Sequence, residues 1–133
     1  MAKKIAYTGV FLNEQSHEAL LRWFEQTTGR PLLGKHHGHH MTIQFKPNPE
    51  DLAALPAGQT VKLRVVGWAA DELAQAVVIE PEVASKKAVP HITVATADGT
   101  TPAYSNDLLA FGATPVDGPT LEGVVGTFPP REP

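Results

Sequence analysis

The chain reads as one small α+β domain, and three features predict it. Six runs rich in β-branched and aromatic residues punctuate the sequence as strands. An amphipathic stretch follows the first of them and has the period of a helix. The connection at 69–72 between two later runs is short enough for an antiparallel hairpin. A length of 133 residues suits a single core rather than two.

Taken in order, 4–12 (KIAYTGVFL) is a strand. Residues 13–28 follow as a helix, with Asn13 or Ser16 as N-cap, Leu20, Leu21, Trp23 and Phe24 as its apolar face, and Gly29 as its stop. The segment 30–38 reads as a loop, and 39–45 (HHMTIQF) as the second strand. Prolines on either side frame one helical turn over 50–55. Strands over 60–68 (TVKLRVVGW) and 73–80 (LAQAVVIE) form the hairpin. After a loop over 81–90 comes a fifth strand, 91–96 (HITVAT). Asp98-Gly99 marks a turn, 102–111 a short helix ending at Gly112, and 121–128 (LEGVVGTF) the last strand.

Composition narrows the function. With 42% hydrophobic and 19% charged residues the chain is globular, not disordered. No apolar stretch approaches the roughly 20 residues of a membrane span, and the opening Met1-Ala2-Lys3-Lys4 leads into alternation rather than a secretory h-region. The chain has no cysteine, which removes disulfides, thiolate metal ligands and a cysteine nucleophile. A cytoplasmic location fits these features. The net charge of −3 argues against a protein that grips long nucleic acid. Within 30–87 the basic side chains Arg30, Lys35, Lys46, Lys62, Arg64, Lys86 and Lys87 barely outnumber the acidic ones. A bound phosphate would therefore sit in a local site, on a short ligand.

Two tripeptides carry chemistry: His40-Met41-Thr42 and His91-Ile92-Thr93. Side chains alternate along a strand, so each motif sets an imidazole and a hydroxyl on one face and sends Met41 or Ile92 to the other. If the strands lie side by side, two histidines and two hydroxyls meet in one cleft. Phosphodiester cleavage needs that set. One imidazole takes a proton from the attacking oxygen, the other gives one to the leaving oxygen, and hydroxyls donate to non-bridging phosphate oxygens. A single H-x-T carries no information; two copies opening strands and continuing in apolar alternation do.

At these motifs the chain resembles the two-histidine (2H) phosphoesterases, which include 2′-5′ RNA ligase-like proteins and the cyclic phosphodiesterase domain of tRNA ligases. His40-Met41-Thr42-Ile43-Gln44-Phe45 and Pro90-His91-Ile92-Thr93-Val94 are similar to the family's two signatures, and 102–109 (PAYSNDLL) is similar to the stretch following the second in a compact branch. The resemblance implies an antiparallel sheet around a central cleft with helices outside. It also implies metal-free cleavage of a 2′,3′-cyclic phosphate on a nucleotide or RNA end, with His40 and His91 as acid and base, Thr42 and Thr93 on the phosphate, and no cofactor. The histidines lie 51 residues apart, closer than in the larger bilobal members, so one lobe helix is expected to be missing.

Other residues have two readings. His36-His37-Gly38-His39-His40 suggests a metal site, but without cysteine or an H-E-x-x-H spacing it reads as a solvated loop, with His39 turned away from His40 and His37 or His39 reaching a phosphate at most. Lys86 and Lys87 are a solvated pair or an attractor of the anion. Tyr7 and Trp68 are core aromatics or base-stacking platforms. Ser105 and Asn106 cap the last helix or hold a phosphate there. His17 is a helix surface residue without a partner. The competing functions are a phage-type nuclease that destroys cyclic oligonucleotide signals, and a catalytically idle RNA-binding module. Neither a membrane nor an obligate protein partner is expected.

Overall fold

The computed structural model describes residues 4–83, 85 and 89–130. Strand β1 (Tyr7–Leu12) leads through Asn13 into helix α1 (Glu14–Thr28). Of the two cap residues the sequence offered, Asn13 serves. Its Oδ1 accepts the Ser16 amide at 2.8 Å. Gly29 ends the helix at φ 69°, a left-handed conformation that glycine adopts without strain.

Strand β2 (Lys35–His36) then precedes β3 (His40–Phe45), so the expected loop over 30–38 contains a two-residue strand. Helix α2 (Pro49–Ala54) is set by a capping box in which Asn48 and Asp51 each satisfy the other's amide. Strands β4 (Thr60–Ala70) and β5 (Ala74–Pro81) form the expected hairpin, its turn held by the Leu73 and Ala74 amides on Asp71 Oδ1. Strand β6 (His91–Thr96), helix α3 (Tyr104–Ala110), the two-residue β7 (Thr114–Pro115) and β8 (Thr120–Phe128) complete the chain.

The strands form one open sheet in the order β2-β6-β5-β4-β8-β1-β3, with β7 beside β4. Its pairings are antiparallel. The architecture is therefore α+β, as expected.

Alternation puts one side of each strand into a common core. Val10, Met41, Leu63, Val65, Val77, Ile92, Val94, Leu121 and Val125 are buried together with Leu20 and Phe24 of α1. Trp68 joins this core through an edge-to-face contact with Phe24 at 6.0 Å, so it is not a stacking platform. Each such apolar side chain contributes about 1.5–3 kcal/mol. Truncating Phe24 to Ala would remove about 3–5 kcal/mol. A smaller cluster seats α3 on the hairpin, with Leu108 and Leu109 on Ala69, Ala74 and Ala76. The Tyr104 hydroxyl adds a 2.6 Å bond to Asp71 Oδ2.

Candidate active site

The motif strands are not ladder neighbours. Strand β3 ends the sheet path and β6 is next to last at the other end. A short strap of backbone brings them together. Strand β2 pairs with β6, Lys35 opposite Thr96 and His36 opposite Ala95. The chain then stays on β6 for two more residues, the His37 amide bonding Val94 O and the Gly38 amide Thr93 O, both at 2.8 Å. At His39 it crosses over, its carbonyl accepting from Leu12 of β1 at 2.8 Å, and β3 begins. The histidine-rich segment is thus a tie between the two motifs. Gly38 makes the crossing at φ 80°, buried under α1, where an added Cβ would lie 3.1 Å from Leu21.

His40, Thr42, His91 and Thr93 all line one cleft of about 350 Å³. That volume is in the range of small-molecule sites and exceeds what a bare phosphate fills. Met41 and Ile92, between the paired groups, are fully buried on the opposite side. The geometry of alternation holds for both motifs.

The His40 ring stacks on Tyr7 at 4.9 Å and lies 5.6 Å from Phe11. Tyr7 in turn packs on Phe128 at 5.3 Å and Phe45 at 5.8 Å. Gly9, between Tyr7 and Phe11 on β1, lets the strands approach. A Cβ there would sit 2.7 Å from the Met41 carbonyl. Burial in this aromatic setting, reinforced by the nearby charges of His39, His37 and His91, lowers the His40 pKa from 6.5 to about 4. At neutral pH His40 is an uncharged imidazole. Burial also pushes the Tyr7 phenol upward, so it stays protonated.

His91 is held differently. Its Nδ1 lies 2.7 Å from the Val89 carbonyl, which can only accept, so Nδ1 carries a proton and Nε2 is the acceptor atom of the neutral ring. Thr93 Oγ1 is 2.8 Å from Ser105 Oγ and 3.4 Å from the Pro102 carbonyl. The Ser85 hydroxyl donates to Thr42 O at 2.9 Å, tying Ser85 to β3.

Two readings of α3 need correcting. Ser105 is not an N-cap. The cap is Ala103, because backbone turns at Thr101 and Pro102 already take the Tyr104 and Ser105 amides at 3.1 and 3.0 Å. Ser105 is fully buried inside the helix, and its side chain is directed at Thr93 rather than at the cleft. Asn106 does line the cleft, its Nδ2 donating to Ala103 O at 3.0 Å.

His17 is not partnerless either. Its Nδ1–H donates to Gly38 O at 2.9 Å, and its ring stacks on His39 at 4.4 Å. His37 Nε2 meets the buried Thr96 hydroxyl at 3.0 Å. Burial lowers the pKa of His37, as do the charges of Lys35, His39 and His36; burial and then His17 lower that of His39. Both line the cleft beside the motifs. Among the described residues no group of three or more His, Cys, Asp or Glu is placed to hold a metal ion. Lys86 and Lys87 lie outside the described residues. No helix among the described residues is long and apolar enough to cross a membrane. Comparison with models of known families and with curated proteins finds no match for this chain.

Proposed function

We propose that the chain is a metal-independent phosphodiesterase of the two-histidine type, opening a 2′,3′-cyclic phosphate on a nucleotide or RNA end. One observation carries the reading: both H-x-T pairs, from opposite ends of the sheet path, line a single cleft.

The two imidazoles divide the work by environment. His40, neutral against Tyr7, takes a proton from the attacking water. Water oxygen bonds to phosphorus, the bond to one ribose oxygen breaks, and protonated His91 delivers a proton from Nε2 to that oxygen. Its Nδ1–H bond to Val89 O keeps the ring in register throughout. The Thr42 and Thr93 hydroxyls donate to non-bridging oxygens, where negative charge builds in the transition state. Tyr7 and Asn106 lie where they would meet the nucleoside. The finer fold assignment, a compact 2H phosphoesterase, belongs to the same proposal.

The test is a screen of purified protein in excess EDTA against 2′,3′-cyclic mononucleotides, cyclic-phosphate RNA ends, and cyclic di- and trinucleotides. Turnover of the first two without metal is the expected result. Turnover of cyclic oligonucleotides alone would move the substrate to the signal-degrading class. Binding without turnover would leave an RNA-binding module.

A further inference from the structure

Thr93 has more neighbours than a phosphate ligand needs, and they have a direction. Two hydroxyls, Thr93 and Ser105, lie 2.8 Å apart, and each has one proton to place. Ser105 is fully buried, and the acceptor within reach of its hydroxyl is Thr93 Oγ1. A buried O–H without an acceptor would cost the desolvation of that group, so Ser105 donates. Thr93 then has its own proton left over. Its resting acceptor is the Pro102 carbonyl at the cleft wall, 3.4 Å away and close to the limit of a useful bond. A phosphate oxygen entering the cleft would take that proton at small loss.

We propose that Ser105 is a positioning residue: its buried hydroxyl donates to Thr93, fixes the threonine rotamer and commits the Thr93 proton to the bound phosphate. The inference rests on the phosphoesterase reading for its ligand. The scaffold is suited to the task. Helix α3 is set in register by Leu108 and Leu109 on the hairpin and by the Tyr104 bond to Asp71 at 2.6 Å, so Ser105 cannot follow Thr93 if the threonine rotates. A chain of donors also polarises itself, making the outer hydroxyl a better donor than it would be alone. Nothing about Ser105 requires it to touch substrate.

A double-mutant cycle tests this on three readouts: melting temperature, affinity for inorganic phosphate, and kcat and KM on a 2′,3′-cyclic mononucleotide. Ser105→Ala should weaken phosphate affinity and lower kcat/KM by about 3- to 10-fold, the worth of one neutral hydrogen bond. Ser105→Cys, which keeps a weak donor, should fall between. In a Thr93→Val background the further change from Ser105→Ala should stay within about twofold, because the residue through which it acts is gone. Thr93→Val strands the buried Ser105 hydroxyl, so the double variant should melt no lower than Thr93→Val alone. Equal losses in both backgrounds, or a lowered melting temperature with unchanged phosphate affinity, would reduce Ser105 to a tether between α3 and β6 and overturn the proposal. The melting and phosphate arms need no turnover. A wild type that binds phosphate with the expected coupling yet opens no cyclic nucleotide would overturn the proposed reaction and leave the Ser105–Thr93 pair standing.

Discussion

His40 should make the protein acid-sensitive over a defined window, and replacing it with Phe should remove that sensitivity while keeping the ring against Tyr7. Its folded pKa is about 4, against the ordinary 6.5 of an exposed imidazole. Between these values the unfolded chain holds a proton that the folded chain refuses, so stability rises with pH. The contribution is complete above about pH 6.5, is lost as the pH falls, and levels off below about pH 4. Linkage across this gap gives a loss of about 2.5 kcal/mol between pH 7.5 and pH 4.5. Urea unfolding of wild type and His40→Phe at the two pH values measures it. The wild type should lose about 2.5 kcal/mol more than the variant on acidification. His37 and His39 shift in the same direction but are common to both proteins. Equal acid sensitivity in the two proteins, or an NMR titration placing His40 near its ordinary pKa, would refute the account of the buried neutral imidazole and with it the choice of His40 as base.

His40→Ala and His91→Ala should each lower turnover of a 2′,3′-cyclic nucleotide by about 10²–10⁴-fold, with the double variant far from additive. A folded variant of either that kept nearly full activity would remove that histidine from the chemistry. The acid limb of the kcat/KM profile should be set by His40 and extend down toward its pKa of about 4, so activity should persist at pH 5.5, where an ordinary imidazole would be protonated. Gly9→Ala should destabilise by about 1–3 kcal/mol, since its Cβ would meet the Met41 carbonyl at 2.7 Å; a melt unchanged from wild type would show that the strands yield freely. Gln75→Leu should cost about 2–4 kcal/mol, because the buried amide donates to Pro31 O at 2.9 Å and accepts from the Leu33 amide at 3.1 Å, and both backbone groups would lose their partner. Chemical denaturation of the folded variant checks it.

What could be read from the sequence was what depends on local periodicity. Met41 and Ile92 had to point away from their flanking His and Thr, and they do, because the rule of alternation needs no knowledge of the rest of the fold. Asn13, Gly29 and the 69–72 connection likewise announced themselves through short-range chemistry. The loop over 30–38 hid a strand because two residues carry no period, and β2 exists through its pairing with β6. The partners of His17 were out of reach for the same reason. Gly38 lies 21 residues further along, with His39 next to it, and only the crossing of the strap brings them over α1. Ser105 sat where a cap residue belongs by composition, but the preceding turn had already satisfied the amides, so the hydroxyl was left for Thr93. The aromatic wall around His40 depends on the register of β1 between β3 and β8, which no single segment encodes.

The strap from His37 to His39 also makes the spacing of the two motifs independent of how the rest of the sheet bends. Four strands separate β6 from β3 along one route, yet three residues join their ends along the other. The motifs cannot drift apart unless the amides of His37 and Gly38 let go of Val94 and Thr93. Hydrogen exchange at those two amides is therefore a gauge of cleft width that works with no ligand at all. It also marks where the width could be reset by evolution or by hand. A single residue added between Gly38 and His40 would reverse the alternation of β3 and turn His40 toward the core, whereas two would preserve it and set the histidines further apart.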